Sequence, residues 1–200
     1  MNFRGKKVLL RVDFNVPLSR GRVADDFRIR ASLGTVNGLL KKGAKVLLLT
    51  HLEVDAKNPG LEPIASHLEK LLKMKIRFIK GQVQMYSKDF SEKVWLFDNL
   101  RLNPGEKKND KSFAKRLAGL GDYYINDAFS ASHREHASIV GIPRFLPNAF
   151  CEGPLMKEEI KNLSKFFYPD HPFLFILAGK KFETKEPLVS KYLGKTDAIF

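Results

Sequence analysis

Apolar runs in this chain end, one after another, on side chains able to grip an anion. The runs finish at Asp13 and Asn15, at Thr50 and His51, at Asn99 and Arg101, and at Asn126 and Asp127. Asn and Asp at such places often serve only as turn formers, bonding their own backbone. Two of these ends carry His or Arg, and that shifts the balance towards a site. Arg28 stands at the start of a helical pattern and Arg134 in the segment from Ser130 to His136. Arginine presents a planar fork that matches carboxylate or phosphate oxygens two at a time, where lysine is a point charge. Arg28 lies where a helix dipole prefers an acid, so stabilising the helix does not account for it. Taken alone, His51 reads as a satisfied core histidine; beside the arginines it adds a hydrogen bond to a phosphate. The set implies a small, highly anionic ligand such as a phosphorylated carboxylic acid.

Alternating elements must position these residues. Strand patterns at Lys7–Val12, Val46–Leu49, Ile76–Ile79, Val94–Phe97 and Tyr123–Ile125 alternate with helical spacing. The helical stretches start near Asp25–Asp26 and run to Leu40, from about Pro63 to Leu72, and from Lys111 to Leu120. Such alternation predicts an α/β fold, a parallel sheet with helices on both faces, in the manner of a Rossmann-like three-layer sandwich. Ligands of open parallel sheets bind outside the carboxyl ends of the strands, where the polar residues above lie. Leu155 to Phe167 reads as one amphipathic helix, followed by the apolar strand pattern Phe173–Ala178 and the turn Gly179-Lys180-Lys181. The expected organisation is a ligand-binding domain over 1–154, a linker helix over 155–170, and the start of a second α/β domain over 171–200.

The 200 residues carry a formal net charge of +13, with 28% charged and 44% hydrophobic side chains interspersed. That composition is globular rather than disordered. The excess charge fits a lysine-rich solvated surface, a nucleic-acid binder or an anionic small-molecule substrate, and charge alone favours the first. No apolar run approaches the roughly 20 residues that span a bilayer, and the N-terminus lacks the pattern of a signal peptide. The single cysteine, Cys151, fits a reducing cytoplasm. Tyr86 and Trp95 lack the interleaving with basic residues that a stacking platform for single strands needs. No Cys/His cluster has metal-ligand spacing. Lys181 and Lys185, four apart, are either a solvated surface or a pair facing an anion; no P-loop pattern accompanies them.

At these same residues the sequence resembles phosphoglycerate kinases. Arg11 to Pro17 (RVDFNVP) matches that family's first-strand signature, and Asp25 to Leu33 resembles the helix start that follows. Leu96 to Arg101 with Pro104 to Glu106 is similar to the pattern E-N-x-R-F-x-x-G-E, with Asp98 in place of glutamate. Asn126 to Ser138 (NDAFSASHREHAS) matches a loop of the family almost throughout, and Gly153-Pro-Leu155 resembles the start of its interdomain helix.

The resemblance implies reversible phosphoryl transfer between 1,3-bisphosphoglycerate with ADP and 3-phosphoglycerate with ATP, in glycolysis. It implies that Asp13 and Asn15 contact the substrate, that His51, Arg101 and Arg134 hold its phosphate, and that Arg28 reaches the transferring phosphoryl group. Lys181 and Lys185 would face the phosphates of Mg-ATP or Mg-ADP, held mainly by a second domain. The further expectations are a cytoplasmic monomer with no resident metal, no specific nucleic-acid partner and no membrane.

Two departures stand out. The family's S-H-L-G-R-P reads Thr50-His-Leu-Glu-Val-Asp55 here, so Val54 replaces a phosphate-binding arginine and Glu53 and Asp55 add negative charge. Lys57 is a candidate substitute. The family's G-G-x-K turn reads Ala178-Gly-Lys-Lys181. Because the sequence stops at Phe200, it is expected to act alone only as the phosphoglycerate-binding half, binding weakly and essentially without kinase activity. The competing expectation is an anion-binding relic that kept the sheet and lost catalysis.

Overall fold

The computed structural model describes residues 1–53, 60–83, 91–178 and 186–200. They form two compact units, 1–157 and 158–200.

The first unit is built on six strands: β1 (Lys7–Arg11), β4 (Lys45–Leu49), β5 (Arg77–Ile79), β6 (Val94–Phe97), β7 (Tyr123–Asn126) and β8 (Phe150–Glu152). Between the first two lie β2 (Leu18–Ser19) and β3 (Arg22–Val23), a small antiparallel hairpin. The sheet order is β5-β6-β4-β1-β7-β8 with every pairing parallel.

Successive side chains on the strands go to opposite faces, and both faces are covered. Val8, Leu10, Val46, Leu48 and Leu96 pack under α1 (Phe27–Lys41) and α2 (Glu62–Leu72), against Ile29, Val36, Ile64 and Leu68. Leu9, Leu47, Leu49, Trp95, Phe97 and Tyr124 face the other way, onto Phe113 and Leu117 of α4 (Lys111–Ala118). The short α3 (Pro104–Lys107) precedes α4. A run apolar at every position, as at Val8-Leu9-Leu10, therefore has an apolar partner on each side. Each such side chain contributes about 1.5–3 kcal/mol of burial.

Local chemistry sets several boundaries. Helix α1 begins at Phe27, near Asp25–Asp26 as expected, with Asp26 at the N-cap position and both aspartates just outside the first turn. Asp25 accepts from the Phe27 backbone N–H (2.9 Å), while Asp26 is drawn away to Arg30 Nε (2.8 Å) and His67 Nε2 (2.8 Å). At α4, Asp110 accepts from Phe113 N–H (2.7 Å) as an ordinary N-cap. The β2–β3 hairpin turns through Arg20 and Gly21, both with positive φ (49° and 71°). That is the handedness two-residue hairpin loops require.

In the second unit the apolar run expected as one strand over Phe173–Ala178 is strand only at β9 (Leu174–Phe175). It pairs in parallel with β10 (Ala198–Ile199). A ladder is no longer than its partner, and that partner has two residues; Leu174 and Ile176 stay exposed. Phe166, Phe173, Phe175 and Tyr192 pack edge-to-face and stacked into a small aromatic cluster. Helix α5 (Pro154–Ser164), continued by a 3-10 turn through Phe167, contains the boundary between the units. Helix α6 (Glu186–Tyr192) lies wholly in the second. Among the described residues no helix is long and apolar enough to cross a membrane.

Candidate active site at the strand ends

From β1 the chain moves outward to β4 on one side, and later to β7 on the other. The order of strands reverses beside β1, and a crevice outside the carboxyl ends is the consequence. A pocket of about 230 Å³ opens there, lined by Asp13, Asn15, Arg28, His51, Glu53, Ser130, Ala131 and Arg134. Five of the six residues expected to bind substrate share it. The sixth, Arg101, lines a neighbouring hollow of about 350 Å³ with Asn99 and Lys107, and Glu53 belongs to both.

Asp13 is the organiser on the β1 side. Its Oδ1 accepts from the Asn15 backbone N–H (3.0 Å), and its Oδ2 accepts from Arg28 Nη1 (2.8 Å) and Ser130 Oγ. Arg28 also donates to the Asn15 carbonyl (3.2 Å), and its side chain is half exposed. Its place in the first turn of α1 is thus set by Asp13 and not by the helix dipole. Asn15 Oδ1 accepts from the Glu53 N–H (2.8 Å), tying the first strand end to the second. Asn99 ties the second to the third: its Oδ1 accepts from Leu52 N–H (3.2 Å) and Arg101 N–H (3.1 Å), and its Nδ2 donates to the Leu52 carbonyl (2.9 Å).

His51 is fixed from below by Arg11, which is wholly buried. Arg11 Nη2 lies 2.9 Å from His51 Nδ1, Nε donates to Ser138 Oγ (3.1 Å), and Nη1 donates to the Val12 carbonyl. A guanidinium has no acceptor, so Nδ1 carries the lone pair and the ring proton stays on Nε2. Burial first, then the positive fields of Arg11, Arg101 and Arg134, pushes His51 down from 6.5 to about 3. The ring is therefore a neutral donor. Beneath it, Glu106 accepts from both Ser138 N–H (3.0 Å) and Ser138 Oγ. Burial raises Glu106 despite those bonds and the nearby Arg11. Burial pulls the Arg11 guanidinium down, opposed by Glu106, yet an arginine stays charged.

Sequence reasoning gave Arg11 no role of its own. The signal was a charged residue directly continuing the apolar run Val8-Leu9-Leu10, which has to find partners when buried.

Asn126 and Asp127 do not line the pocket. Asp127 is structural: Oδ1 accepts from Leu155 N–H (2.8 Å) and Met156 N–H (3.2 Å) at the start of α5, and Oδ2 accepts from Thr35 Oγ1 (2.6 Å) on α1. A Cβ at Gly153 would collide with this carboxylate, which explains the glycine. Asp127→Ala is expected to cost about 2 kcal/mol, a lost helix cap plus a stranded buried hydroxyl. Urea unfolding of the variant beside the parent chain measures it. Val54, Asp55, Lys57, Tyr86, Gly179, Lys180, Lys181 and Lys185 lie outside the described residues.

The phosphoglycerate kinase family model matches residues 1–200. The phosphoglycerate kinase of Fervidobacterium nodosum is 40% identical over all of this chain and 52% of its own length. That of Herpetosiphon aurantiacus is 41% identical over 98% of this chain and, again, 52% of its own. Among solved structures, the phosphoglycerate kinase of Pyrococcus horikoshii superposes with a TM-score of 0.88 at 31% identity, covering 100% of this chain and 53% of that one. The enzyme of Coxiella burnetii gives 0.85 at 32%, covering 100% and 52%. The chain spans about half the length of these relatives. With the whole sequence matched by one family model and the parallel sheet shared with solved members, the chain belongs to the phosphoglycerate kinase family.

Proposed function

We propose that this chain supplies the phosphoglycerate-binding half of a phosphoglycerate kinase. In the full reaction the carboxylate of 3-phosphoglycerate takes the terminal phosphoryl group of ATP, giving 1,3-bisphosphoglycerate and ADP, or the reverse. The observation that carries the reading is the convergence of Arg28, His51 and Arg134 on one pocket at the point where the strand order reverses. Three donors of this kind in one small crevice suit a ligand with several anionic oxygens.

In this reading Asn15 and Asp13 orient the substrate, and His51 offers its Nε2–H to a phosphate oxygen without adding charge. Arg101 and Arg134 neutralise the phosphate. Arg28, exposed at the rim, balances the charge on the transferring phosphoryl oxygens. Phosphoryl transfer depends mainly on positioning and electrostatics, so such a set needs no nucleophile or general base of its own. Lys181 and Lys185 would meet the phosphates of the magnesium nucleotide. The family supports a kinase, and with it a glycolytic role in the cytoplasm and small-molecule partners.

The test is calorimetric titration of the chain with 3-phosphoglycerate, beside an Arg28→Ala, Arg101→Ala double variant. Binding by the parent chain that falls at least about 30-fold in the double variant is the expected result, since each arginine contributes roughly a charge-assisted hydrogen bond. A folded parent chain that binds no phosphoglycerate would overturn the reading and favour a relic of the fold.

A further inference from the structure

We propose that Glu53 is a built-in occupant of the phosphate seat, a carboxylate that any incoming phosphate must displace from Arg101 and Arg134. This rests on reading the strand ends as an anion site and goes on to name what limits that site. A single oxygen, Glu53 Oε1, accepts from Arg101 Nη1 (3.1 Å) and from Arg134 Nη2 (3.2 Å). The two arginines come from different strand ends, and this oxygen is the bridge between them. It makes the arrangement that a phosphate oxygen would make.

The seat is underfilled by that occupant. Arg101 is mostly buried, and its Nε and Nη2 have no hydrogen-bond partner among the described residues. A guanidinium carries five N–H donors, and buried donors without acceptors are costly. A carboxylate offers two oxygens, of which one is used; a phosphate monoester offers three and close to two negative charges. The exchange therefore favours a dianionic phosphate and disfavours singly charged carboxylates, which bring no more than Glu53 already supplies.

The displaced group also has somewhere to go. The Glu53 backbone is anchored through its N–H to Asn15 Oδ1, while its side chain is more than half exposed. Rotation of the side chain alone moves the carboxylate into water. Glu53 is the wall shared by the pocket holding Arg28 and His51 and the hollow holding Arg101 and Lys107. Its departure joins the two into one basic crevice.

The experiment titrates inorganic phosphate and, separately, 3-phosphoglycerate into the parent chain, Glu53→Gln and Glu53→Gly, each first shown to be folded by circular dichroism. Inorganic phosphate should bind about tenfold more tightly to Glu53→Gln and at least as tightly to Glu53→Gly, the scale of one charge-assisted contact removed from competition. The gain should vanish when Arg101→Ala is added to Glu53→Gln, because the competition runs through that guanidinium. Phosphate binding that is unchanged or weaker in both carboxylate-free variants, or a gain that survives Arg101→Ala, overturns the proposal. Phosphate tightened by the variants with 3-phosphoglycerate bound no better than phosphate keeps Glu53 in its role and removes the phosphoglycerate reading. Tight 3-phosphoglycerate binding indifferent to Glu53 does the opposite.

Discussion

Arg11→Met is expected to cost the protein about 3–5 kcal/mol, the largest effect of any single change at this site. Arg11 is 1% exposed and each of its three guanidinium nitrogens has a partner: Ser138 Oγ, the Val12 carbonyl and His51 Nδ1. Methionine fills much of the volume and none of those roles. It leaves a buried carbonyl and a buried ring nitrogen without donors. It also removes the nearest positive charge from Glu106, leaving that carboxyl in the interior with the Ser138 hydrogen bonds, the field of Arg101 and the His136 ring 4.0 Å away. Apolar replacement of a whole buried ionic set can be neutral, but here only one member is removed and the carboxylate stays behind. Urea unfolding with an unchanged m-value measures the loss; a cost below about 1 kcal/mol would show that the network is dispensable. Arg11→Lys separates charge from geometry, since an ammonium restores the charge but cannot hold the planar fork that reaches Ser138 and His51 together. The second readout is the His51 tautomer by nitrogen NMR. In the parent chain the proton belongs on Nε2, and in Arg11→Met the ring is free to take either form.

The same network shows what the sequence could and could not disclose. Five strands of the sheet were readable because their centres are continuously apolar and bounded by turn chemistry, as at Val8-Leu9-Leu10 and Val94–Phe97, whereas the short edge strand Phe150–Glu152 carries no such run. Strand ends could be read from where those runs stop, and Asp13, Asn15, His51 and Arg134 do meet there. The gathering of side chains across the sheet could not be read, because it depends on order and register. Arg11 and Ser138 are 127 residues apart and Arg134 and Glu53 are 81 apart, and no local pattern links them. Asp127 shows the limit from the other side. Its type and position matched Asp13, yet it caps α5 and holds Thr35 because β7 delivers it to the start of that helix and not to the crevice. Likewise the apolar run at Phe173–Ala178 signalled a strand, but the extent of a strand is decided by its neighbour, and β10 offers two residues. The added negative charge of Glu53 was visible in the sequence; its contact with both arginines was not.

Below about pH 6.5 the protein should lose stability through His51, by about 2 kcal/mol between pH ~7.5 and pH ~4.5, beyond what a His51→Gln variant loses. The sign follows from which state takes the proton. In the unfolded chain the ring protonates near 6.5, whereas in the folded chain it resists until about 3. Between those values the unfolded state binds more protons, so stability rises with pH across the window and is complete above it. Burial is the main cause, followed by Arg11, Arg101, Arg134 and His136, which all repel a second positive charge. Glu106 works against the trend, because burial raises it and its protonation favours the folded state as pH falls. Gln at position 51 keeps an acceptor for Arg11 and cannot titrate, so the difference between the two chains isolates the histidine. Equal losses in both would mean that the ring gains a proton without penalty and that Arg11 does not hold it neutral. The consequence for binding is testable on the same samples. A histidinium would lose its attraction for phosphate as pH rises through 6.5, whereas a neutral Nε2–H donor does not. Phosphate affinity should therefore show no fall across that range beyond what the ligand's own ionisation imposes. In the proposed reading the positive charge comes from Arg28, Arg101 and Arg134 with Lys107 beside them, and His51 adds direction without charge.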